Sequence, residues 1–251
     1  MKGKVVIISG GATGIGAAAV ELFARKGAVV ACVDRNETQG RELVARMKAE
    51  GLAAEFFLAD LTMRADIAAA VAQIVEKFGP PDALFNHAGT IVIKPFLEIT
   101  DDDVDFLIKA NLISMMAMTQ TVLPHMIENG GGAIVCMSSI SAELATPMEV
   151  LYGATKAGCQ MFARGIAIEF RDRNIRCNSV SPGFVKTPHG ERELKELQAL
   201  GVSVDEDALA ELQGRLCKPV EVAEAVFFLA SPAASFINGA NIVVDNGFSA
   251  Q

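Results

Sequence analysis

Short apolar runs alternate with longer amphipathic segments from one end of the chain to the other. The runs are rich in Val, Ile and Ala and are bounded by small or polar residues, which is typical of buried β-strands. Seven of them are predicted as strands, at residues 5–9, 29–33, 55–59, 83–86, 133–138, 175–181 and 241–244. Apolar strands that alternate with helices indicate a doubly wound α/β fold, a parallel sheet with helices on both faces.

The segments between the strands have helical periodicity. Ile67, Ala70, Val71 and Ile74 recur at the i, i+3, i+4, i+7 spacing of one helix face. Pro219 is predicted to be the first residue of a late helix, because proline suits that position. The sequence has no internal repeat and no linker-like stretch, so residues 1–251 are predicted to form a single domain.

Residues 188–216 depart from this pattern. The segment is charged, with Leu194, Leu197 and Leu200 at helical spacing. It could be a static pair of surface helices. A long insertion beyond the carboxyl end of a strand is also where doubly wound folds place a substrate lid, and we favour the lid.

Composition narrows the function classes. Hydrophobic residues make up 51% of the chain, enough for one large core, and the net charge of −8 disfavours nucleic acid or an anionic membrane as a partner. No stretch is expected to approach a membrane span, and the apolar run after Met1 is too short for a signal peptide. The cysteines form no CxxC pair and are predicted to be reduced core residues of a cytoplasmic protein: Cys32, Cys136, Cys159, Cys177 and Cys217.

The first predicted strand runs into a glycine turn with Gly10, Gly14 and Gly16. Such a turn between a strand and a helix lets the backbone approach a pyrophosphate at the helix N-terminus. Asp34 ends the second predicted strand, near the offset at which an acid meets the adenosine ribose. A carboxylate there repels a 2′-phosphate, and Thr13 is not basic, so NAD is predicted over NADP. Arg35, next to Asp34, is the one residue here that would favour NADP, because its side chain could turn towards the phosphate.

Tyr152 and Lys156 are predicted to open a helix, where residues four apart share a face. The adjacent ammonium is expected to lower the phenol pKa from its usual value of about 10 towards that of a general base. Tyr152 is the only tyrosine of the chain.

Further motifs follow in order along the chain. Together with the glycine turn they are Asp60-Leu61, Asn86-His87-Ala88-Gly89, Asn111, Ser138-Ser139, Tyr152-x-x-x-Lys156 and Pro182-Gly183-x-x-x-Thr187. In this order and on these elements they resemble the short-chain dehydrogenase/reductase family over essentially the whole chain. The resemblance implies a Rossmann-type sheet of about seven strands.

The resemblance also implies a role for each residue of a catalytic tetrad. Tyr152 would exchange a proton with the substrate oxygen, and Ser139 would stabilise the charge on that oxygen. Lys156 would bind the nicotinamide ribose and lower the Tyr152 pKa, while Asn111 would hold a water that links Lys156 to solvent.

Cofactor contacts are implied along the carboxyl ends of the strands. They are Ser9, Gly10, Gly14, Ile15, Gly16, Asp34, Asp60, Leu61, Asn86, Ala88, Gly89, Tyr152, Lys156, Pro182, Gly183, Val185 and Thr187. The substrate is expected to be a neutral, partly apolar secondary alcohol or ketone. The positions expected to line its pocket are Ile91, Ser141, Leu144, Met148 and Phe184.

His87 stands where the family often has asparagine, and it is interpreted as a packed residue under the cofactor. Ala154, Ala157 and Gly158 form a small-residue face on the catalytic helix, which the family uses as a subunit interface, usually in a tetramer. A zinc site is not expected, since the chain has three His and no clustered Cys.

Three alternative functions stay open at this point. An NADPH-dependent carbonyl or 3-ketoacyl reductase is disfavoured by Asp34 and Thr13. An enoyl reductase is disfavoured because that branch separates its Tyr and Lys more widely. A non-catalytic NAD-sensing or scaffold protein is disfavoured because all four tetrad residues are present.

Overall fold

The computed structural model describes residues 1–250. Its strands are β1 (Val5–Ser9), β2 (Val29–Asp34), β3 (Ala54–Leu58), β4 (Ala83–Asn86), β5 (Gly132–Met137), β6 (Ile175–Pro182) and β7 (Asn241–Val244). They form one sheet in the order β3-β2-β1-β4-β5-β6-β7, and every neighbouring pair is parallel. The predicted doubly wound sheet is confirmed, with shifts of one residue at the ends of several strands.

The helices lie between the strands along the chain. They are α1 (Gly14–Arg25), α2 (Glu37–Ala49), α3 (Arg64–Phe78), α4 (Asp101–Ile108), α5 (Ser114–Glu128), α6 (Val150–Glu169), α7 (Pro188–Ala199), α8 (Glu206–Gln213) and α9 (Pro219–Ala230). Pro219 begins α9 as predicted. Residues 188–216 contain α7 and α8, so both interpretations of this segment were right that it is helical.

Successive residues of a strand belong to different cores. On β1, Val6 and Ile8 pack with α1, α2 and α9, while Val5 and Ile7 pack with α3, α5 and α6 on the opposite face. All four side chains are buried because a strand alternates its side chains between two covered faces. This explains why the strands read as continuous apolar runs.

A third hydrophobic cluster lies beyond the carboxyl ends of the strands. It joins Tyr152 and Phe184 to Leu197 of α7 and Leu209 of α8. The chain order reverses at β1, which lies between β2 and β4. In doubly wound sheets this reversal opens a crevice at the carboxyl ends, and α7 and α8 lie beside it.

The expectation that no stretch approaches a membrane span is wrong by length and composition alone. A continuous helical run from Asp101 to Glu128 is 28 residues long and apolar enough to cross a membrane. Half of its most apolar window is buried inside the protein, and α5 packs against α3 and β4. These contacts are those of a core helix.

The five cysteines are free and buried, as predicted. The Sγ atoms of Cys136 and Cys177 lie 3.9 Å apart. Burial raises the pKa of Cys32 and Cys159, and the neighbouring Cys177 thiol followed by burial raises that of Cys136, so these thiols stay protonated at neutral pH.

Candidate active site

The glycine turn between β1 and α1 needs glycine for two reasons. Gly10 and Gly14 have φ of 66° and 55°, in the left-handed region. A Cβ on Gly10 would lie 2.9 Å from the Ala88 Cα, and one on Gly16 would collide with the Gly10 carbonyl oxygen. Thr13, at the N-cap of α1, makes no side-chain capping bond, so the first amides of α1 are available to an anion. The turn therefore fits a pyrophosphate.

Ser9 and His87 hold this turn against the residues that follow β4. The Ser9 Oγ accepts hydrogen bonds from the His87 and Ala88 amides, at 3.0 Å and 3.3 Å. The His87 Nδ1 lies 3.0 Å from the Gly10 carbonyl oxygen, and burial lowers the His87 pKa to about 4. A neutral ring can donate to that carbonyl through Nδ1, which supports the interpretation of His87 as a packed residue.

Asp34 lines a cleft beside the glycine turn. Its Oδ2 accepts from the Ala12 amide at 3.0 Å and its Oδ1 from the Asn36 amide at 2.8 Å, so the carboxylate has a fixed orientation. This cleft brings together six of the residues predicted to contact the cofactor, namely Gly10, Asp34, Asp60, Leu61, Ala88 and Gly89. Arg35 lines the same cleft.

A second cleft contains the predicted reacting centre. Ser139, Tyr152 and Lys156 line it together. The same cleft collects Gly14, Ile15, Gly89, Pro182, Gly183, Val185 and Thr187 of the predicted cofactor contacts. Three of the four tetrad residues and the glycine turn, which are far apart in the sequence, therefore meet at the carboxyl edge of the sheet.

Asn111 lies in a π-helical turn, Lys109–Ile113, between α4 and α5. Its amide donates to the Thr90 carbonyl oxygen at 2.9 Å and to the Thr155 Oγ1 at 3.0 Å, and its Oδ1 accepts from the Thr90 amide at 2.7 Å. A Cβ on Gly89 would lie 3.1 Å from the Asn111 Oδ1 and 3.4 Å from the Lys156 Nζ. Asn111 and Lys156 are thus close neighbours, and π turns of this kind are frequent at functional sites.

Burial dominates the electrostatics of Tyr152 and Lys156. Burial, followed by the negative charge of Glu193, raises the pKa of Tyr152 well above 10, although a hydrogen bond with Ser139 acts in the opposite direction. Burial also lowers the pKa of Lys156, whose Nζ lies 5.6 Å from the Tyr152 ring centroid and donates to the Met137 carbonyl oxygen at 3.3 Å. The expectation of a lowered Tyr152 pKa is wrong for the site formed by the protein alone, since desolvation outweighs the ammonium.

Ser141 and Phe184 line the second cleft as predicted, but three other predicted substrate positions do not. Ile91 and Met148 pack with Tyr152 and Phe184 in the third hydrophobic cluster, behind the cleft surface. Leu144 is half-buried and is also absent from the cleft lining formed by residues 1–250. The sequence could not reveal which side of a short loop faces the opening.

Two further predicted contacts act from behind the clefts. The Asn86 amide donates to the Thr119 Oγ1 of α5 at 2.8 Å, and neither cleft includes Asn86 in its lining within the described chain. Gly16 contributes the close packing of the turn described above. Both residues shape the cleft from beneath it.

Sequence reasoning did not place several residues that line the second cleft. Among them are Thr90, Thr146, Pro188, Gly190 and Glu193. Three of them belong to α7, whose first residue follows the N-cap Thr187. The only sequence signal for Glu193 was its place in the charged segment that is predicted to form the lid.

Comparisons with known proteins agree with this geometry. A family model described as Enoyl-(Acyl carrier protein) reductase matches residues 10–249. D-threitol dehydrogenase of Mycolicibacterium smegmatis is 37% identical over 251 residues, covering 99% of this chain and 94% of that protein. Cyclopentanol dehydrogenase of Comamonas testosteroni is 35% identical over 248 residues, covering 99% and 98%.

A solved structure extends the likeness to three dimensions. The crystal structure of a gluconate 5-dehydrogenase from Burkholderia cenocepacia, in complex with NADP and tartrate, matches with a TM-score of 0.91 at 30% identity. The match covers 100% of this chain and 97% of that chain. This chain therefore belongs to the short-chain dehydrogenase/reductase family of nicotinamide-dependent oxidoreductases.

Proposed function

We propose that the protein is an NAD-dependent dehydrogenase that interconverts a secondary alcohol and its ketone. The observation that carries this proposal is the meeting of Ser139, Tyr152 and Lys156 in one cleft that opens onto the glycine turn. A ketone oxygen needs a proton donor and a stabiliser of negative charge on the same side of the reacting carbon. Tyr152 and Ser139 supply these two groups.

Each residue of the tetrad has a separate task. Tyr152 exchanges a proton with the substrate oxygen, and Ser139 hydrogen-bonds that oxygen as charge develops. Lys156 holds the nicotinamide ribose and adds positive charge next to Tyr152, while Asn111 keeps a water that connects Lys156 to solvent. The bound nicotinamide supplies or accepts the hydride.

Asp34 supports the choice of NAD. Two backbone amides already fix its carboxylate at the end of β2, in the cleft where the adenosine ribose would bind. A 2′-phosphate would have to lie against this anion and would replace the ribose hydrogen bonds by repulsion. A buried polar group left without a partner costs roughly 1–3 kcal/mol, and a charged group costs more, so NADP⁺ should bind more weakly than NAD⁺.

Arg35 favours the second candidate, an NADPH-dependent carbonyl or 3-ketoacyl reductase. It lines the same cleft as Asp34, and its charge is among the influences that lower the Asp60 pKa, after hydrogen bonds from Thr62. A guanidinium that turns towards a 2′-phosphate would reverse the preference.

The deciding experiment compares kcat/KM for NAD⁺ and NADP⁺ with one secondary alcohol. We expect NAD⁺ to be favoured by at least about a hundredfold, the equivalent of about 2.7 kcal/mol. Asp34→Ala should narrow the gap by relieving repulsion, whereas Arg35→Ala should leave it or widen it. Equal efficiencies in the wild-type protein would overturn the NAD assignment.

The surroundings of the site complete the proposal. The relatives named cyclopentanol dehydrogenase and D-threitol dehydrogenase support a small neutral alcohol as the substrate class.

We also propose that the protein is a cytoplasmic homotetramer. Five free buried thiols favour a reducing compartment, and an exposed apolar face on α6, described below, favours assembly.

A further inference from the structure

Two buried carboxyl groups lie beside the reacting centre and have no task in the mechanism above. Glu149 precedes α6 and is 2% exposed. Glu193 belongs to α7, its side chain is 14% exposed, and it lines the same cleft as Ser139 and Tyr152. The charge of Glu149 raises the pKa of Glu193, so the two carboxyl groups are near each other, one from the body of the fold and one from the predicted lid.

A chain of polar groups connects this pair to the reacting centre. The Ser139 Oγ donates to the Ser141 Oγ at 3.2 Å, and the Ser141 Oγ donates to the Glu149 Oε2 at 3.1 Å. The other oxygen, Glu149 Oε1, is buried and accepts no hydrogen bond from a donor group of the described residues. A buried acceptor without a donor is unusual in a native structure, and a protonated carboxyl group or a ligand hydroxyl would supply the missing donor.

The backbone next to Glu149 indicates that its position is specifically held. Met148 has φ of 69°, a left-handed conformation that a residue with a long side chain rarely adopts. The Met148 carbonyl oxygen accepts from the Lys94 amide at 3.1 Å, which fixes this turn. Strain of this kind concentrates at functional sites.

The charges around the pair keep one proton on it at neutral pH. Burial, followed by the negative charge of Glu149, raises the Glu193 pKa to about 8, although Arg192 and Lys156 oppose this effect. His189, on the same helix, has its Nε2 3.8 Å from a Glu193 oxygen, and burial lowers the His189 pKa to about 4. His189 is therefore neutral and gives Glu193 no salt bridge at neutral pH.

The protonated Glu193 carboxyl lines the cleft and offers a donor and an acceptor, and the unpartnered Glu149 Oε1 is a further acceptor. A hydroxyl group has the matching acceptor and donor on one oxygen atom. An anionic group would be repelled, and an ammonium would have to displace the shared proton next to Lys156. We propose that Glu193, supported by the neighbouring Glu149, binds a second hydroxyl of the substrate, so that the preferred substrates are diols and hydroxyketones in which this hydroxyl lies within a few bonds of the reacting carbon.

This inference rests on the proposed alcohol–ketone activity, and a substrate pair tests it. The pair is trans-1,2-cyclohexanediol and cyclohexanol, which differ by the second hydroxyl, assayed with saturating NAD⁺ at pH 7. We expect kcat/KM to favour the diol by about tenfold or more, the usual worth of a hydrogen bond to a charged group. A ratio near one in the wild-type protein would overturn the proposal.

Two substitutions of Glu193 separate the contact from general damage to the lid. Glu193→Leu should remove most of the diol preference. Glu193→Gln keeps a donor and an acceptor and should retain it. Glu196→Gln is the matched control, because Glu196 is on the same helix, is 42% exposed and lies 3.7 Å from Arg192. A preference that survives in Glu193→Leu would overturn the proposal.

The pH dependence gives an independent readout. The wild-type preference for the diol should fall as pH rises through about 8, because the pair then loses its shared proton. Tyr152, Lys156, Arg192 and His189 face the same region, so the comparison is made between the two substrates and not on either rate alone. In Glu193→Gln the preference should not change between pH 7 and 9, and a parallel fall in that variant would contradict the assignment to Glu193.

Binding measurements distinguish failure of this inference from failure of the proposed function. The shift in Tm caused by each cyclohexane compound can be measured in the presence of NADH. A larger shift with the diol that disappears in Glu193→Leu would support the carboxyl-pair contact even without turnover, and the missing turnover would count against the proposed function alone. A larger shift with trans-2-aminocyclohexanol than with the diol would overturn the hydroxyl assignment in favour of a cation.

Discussion

Tyr152 illustrates how strongly the surroundings of one residue set its chemistry. The sequence places a lysine one helical turn away, and this neighbour alone would favour the phenolate. In the structure both side chains are buried, and Glu193 and Glu149 add negative charge near the phenol. Tyr152 is therefore protonated at neutral pH in the protein alone, a state suited to giving a proton to a ketone.

The single tyrosine makes this state directly measurable. With no tryptophan in the chain, the rise of tyrosinate absorbance with pH reports on Tyr152 alone. We expect a midpoint above that of the denatured chain, near 10, because burial raises the folded pKa. The stability that this shift contributes is present below the unfolded pKa and is lost as pH rises through the folded pKa.

Two variants and one ligand check the cause of the shift. Glu193→Gln should lower the midpoint because it removes a negative charge, whereas Glu196→Gln should not. Adding NAD⁺ should also lower it, since a nearby cation favours the phenolate. A midpoint at or below that of the denatured chain would show that burial does not control Tyr152.

Ser139 allows a second test at the same scale. Ser139→Ala should lower kcat by roughly 10²–10³, the usual loss when one donor to a developing oxyanion is removed. The affinity for NADH should change little. The matched control is Ser138→Ala, because the Ser138 Oγ donates to the Lys156 carbonyl oxygen at 2.9 Å and supports the helix from the side. A collapse of NADH binding in Ser139→Ala would assign Ser139 a structural role.

The tetrad and the glycine turn could be predicted because each rests on a local requirement. Gly10 needs a positive φ, and Tyr152 and Lys156 need only the spacing of one helical turn. The direction of Asn86 could not be predicted, because its partner Thr119 is 33 residues away on another element. Glu193 was missed for the same reason, since its importance depends on Glu149, which reaches it through the fold.

At the scale of elements, α7 and α8 are the two helices of the predicted lid. Leu197, Val204 and Leu209 are buried in the third hydrophobic cluster, while Lys195 and Leu200 are exposed. A lid that opens would release these apolar contacts, and one that closes would restore them. Helical periodicity revealed the helices but not their mobility, because a static surface helix has the same pattern.

Limited proteolysis separates the two interpretations of α7 and α8. Trypsin should cut the free protein first between Lys186 and Arg215, and NAD⁺ with a bound alcohol should slow these cuts about tenfold or more if closure costs about 1.4 kcal/mol to reverse. Cleavage elsewhere in the chain should be unaffected. Equal rates with and without ligands would favour a static helix pair.

At the scale of the whole molecule, α6 presents two different faces. Tyr152 and Lys156 lie on its buried face, next to the clefts. The opposite face is an exposed, mostly apolar stripe at helical spacing, formed by Val150, Ala154, Ala157, Met161 and Ile168, with Arg164 between the last two. Met161 and Ile168 are 66% and 67% exposed, and exposed apolar side chains that lie on one face in this way are typical of an interaction surface.

Assembly through this stripe is the last prediction. The small side chains of Ala154 and Ala157 would let two copies of α6 approach closely, and a self-complementary contact of this kind is typical of a two-fold interface. Light scattering after size-exclusion chromatography should give a tetramer, in which this two-fold contact is combined with a second one, and Met161→Arg should yield smaller species because it places a charge in the contact. Met63→Arg is the control, since Met63 is 49% exposed at the start of α3, away from the stripe.

The same contact should stabilise the catalytic helix, because a face that leaves water on assembly adds to the free energy of unfolding. The Tm of the wild-type protein should therefore rise with protein concentration, and the Tm of Met161→Arg should be lower and independent of it. A wild-type protein that is monomeric at micromolar concentration, with a concentration-independent Tm, would mean that the stripe is simply an apolar surface.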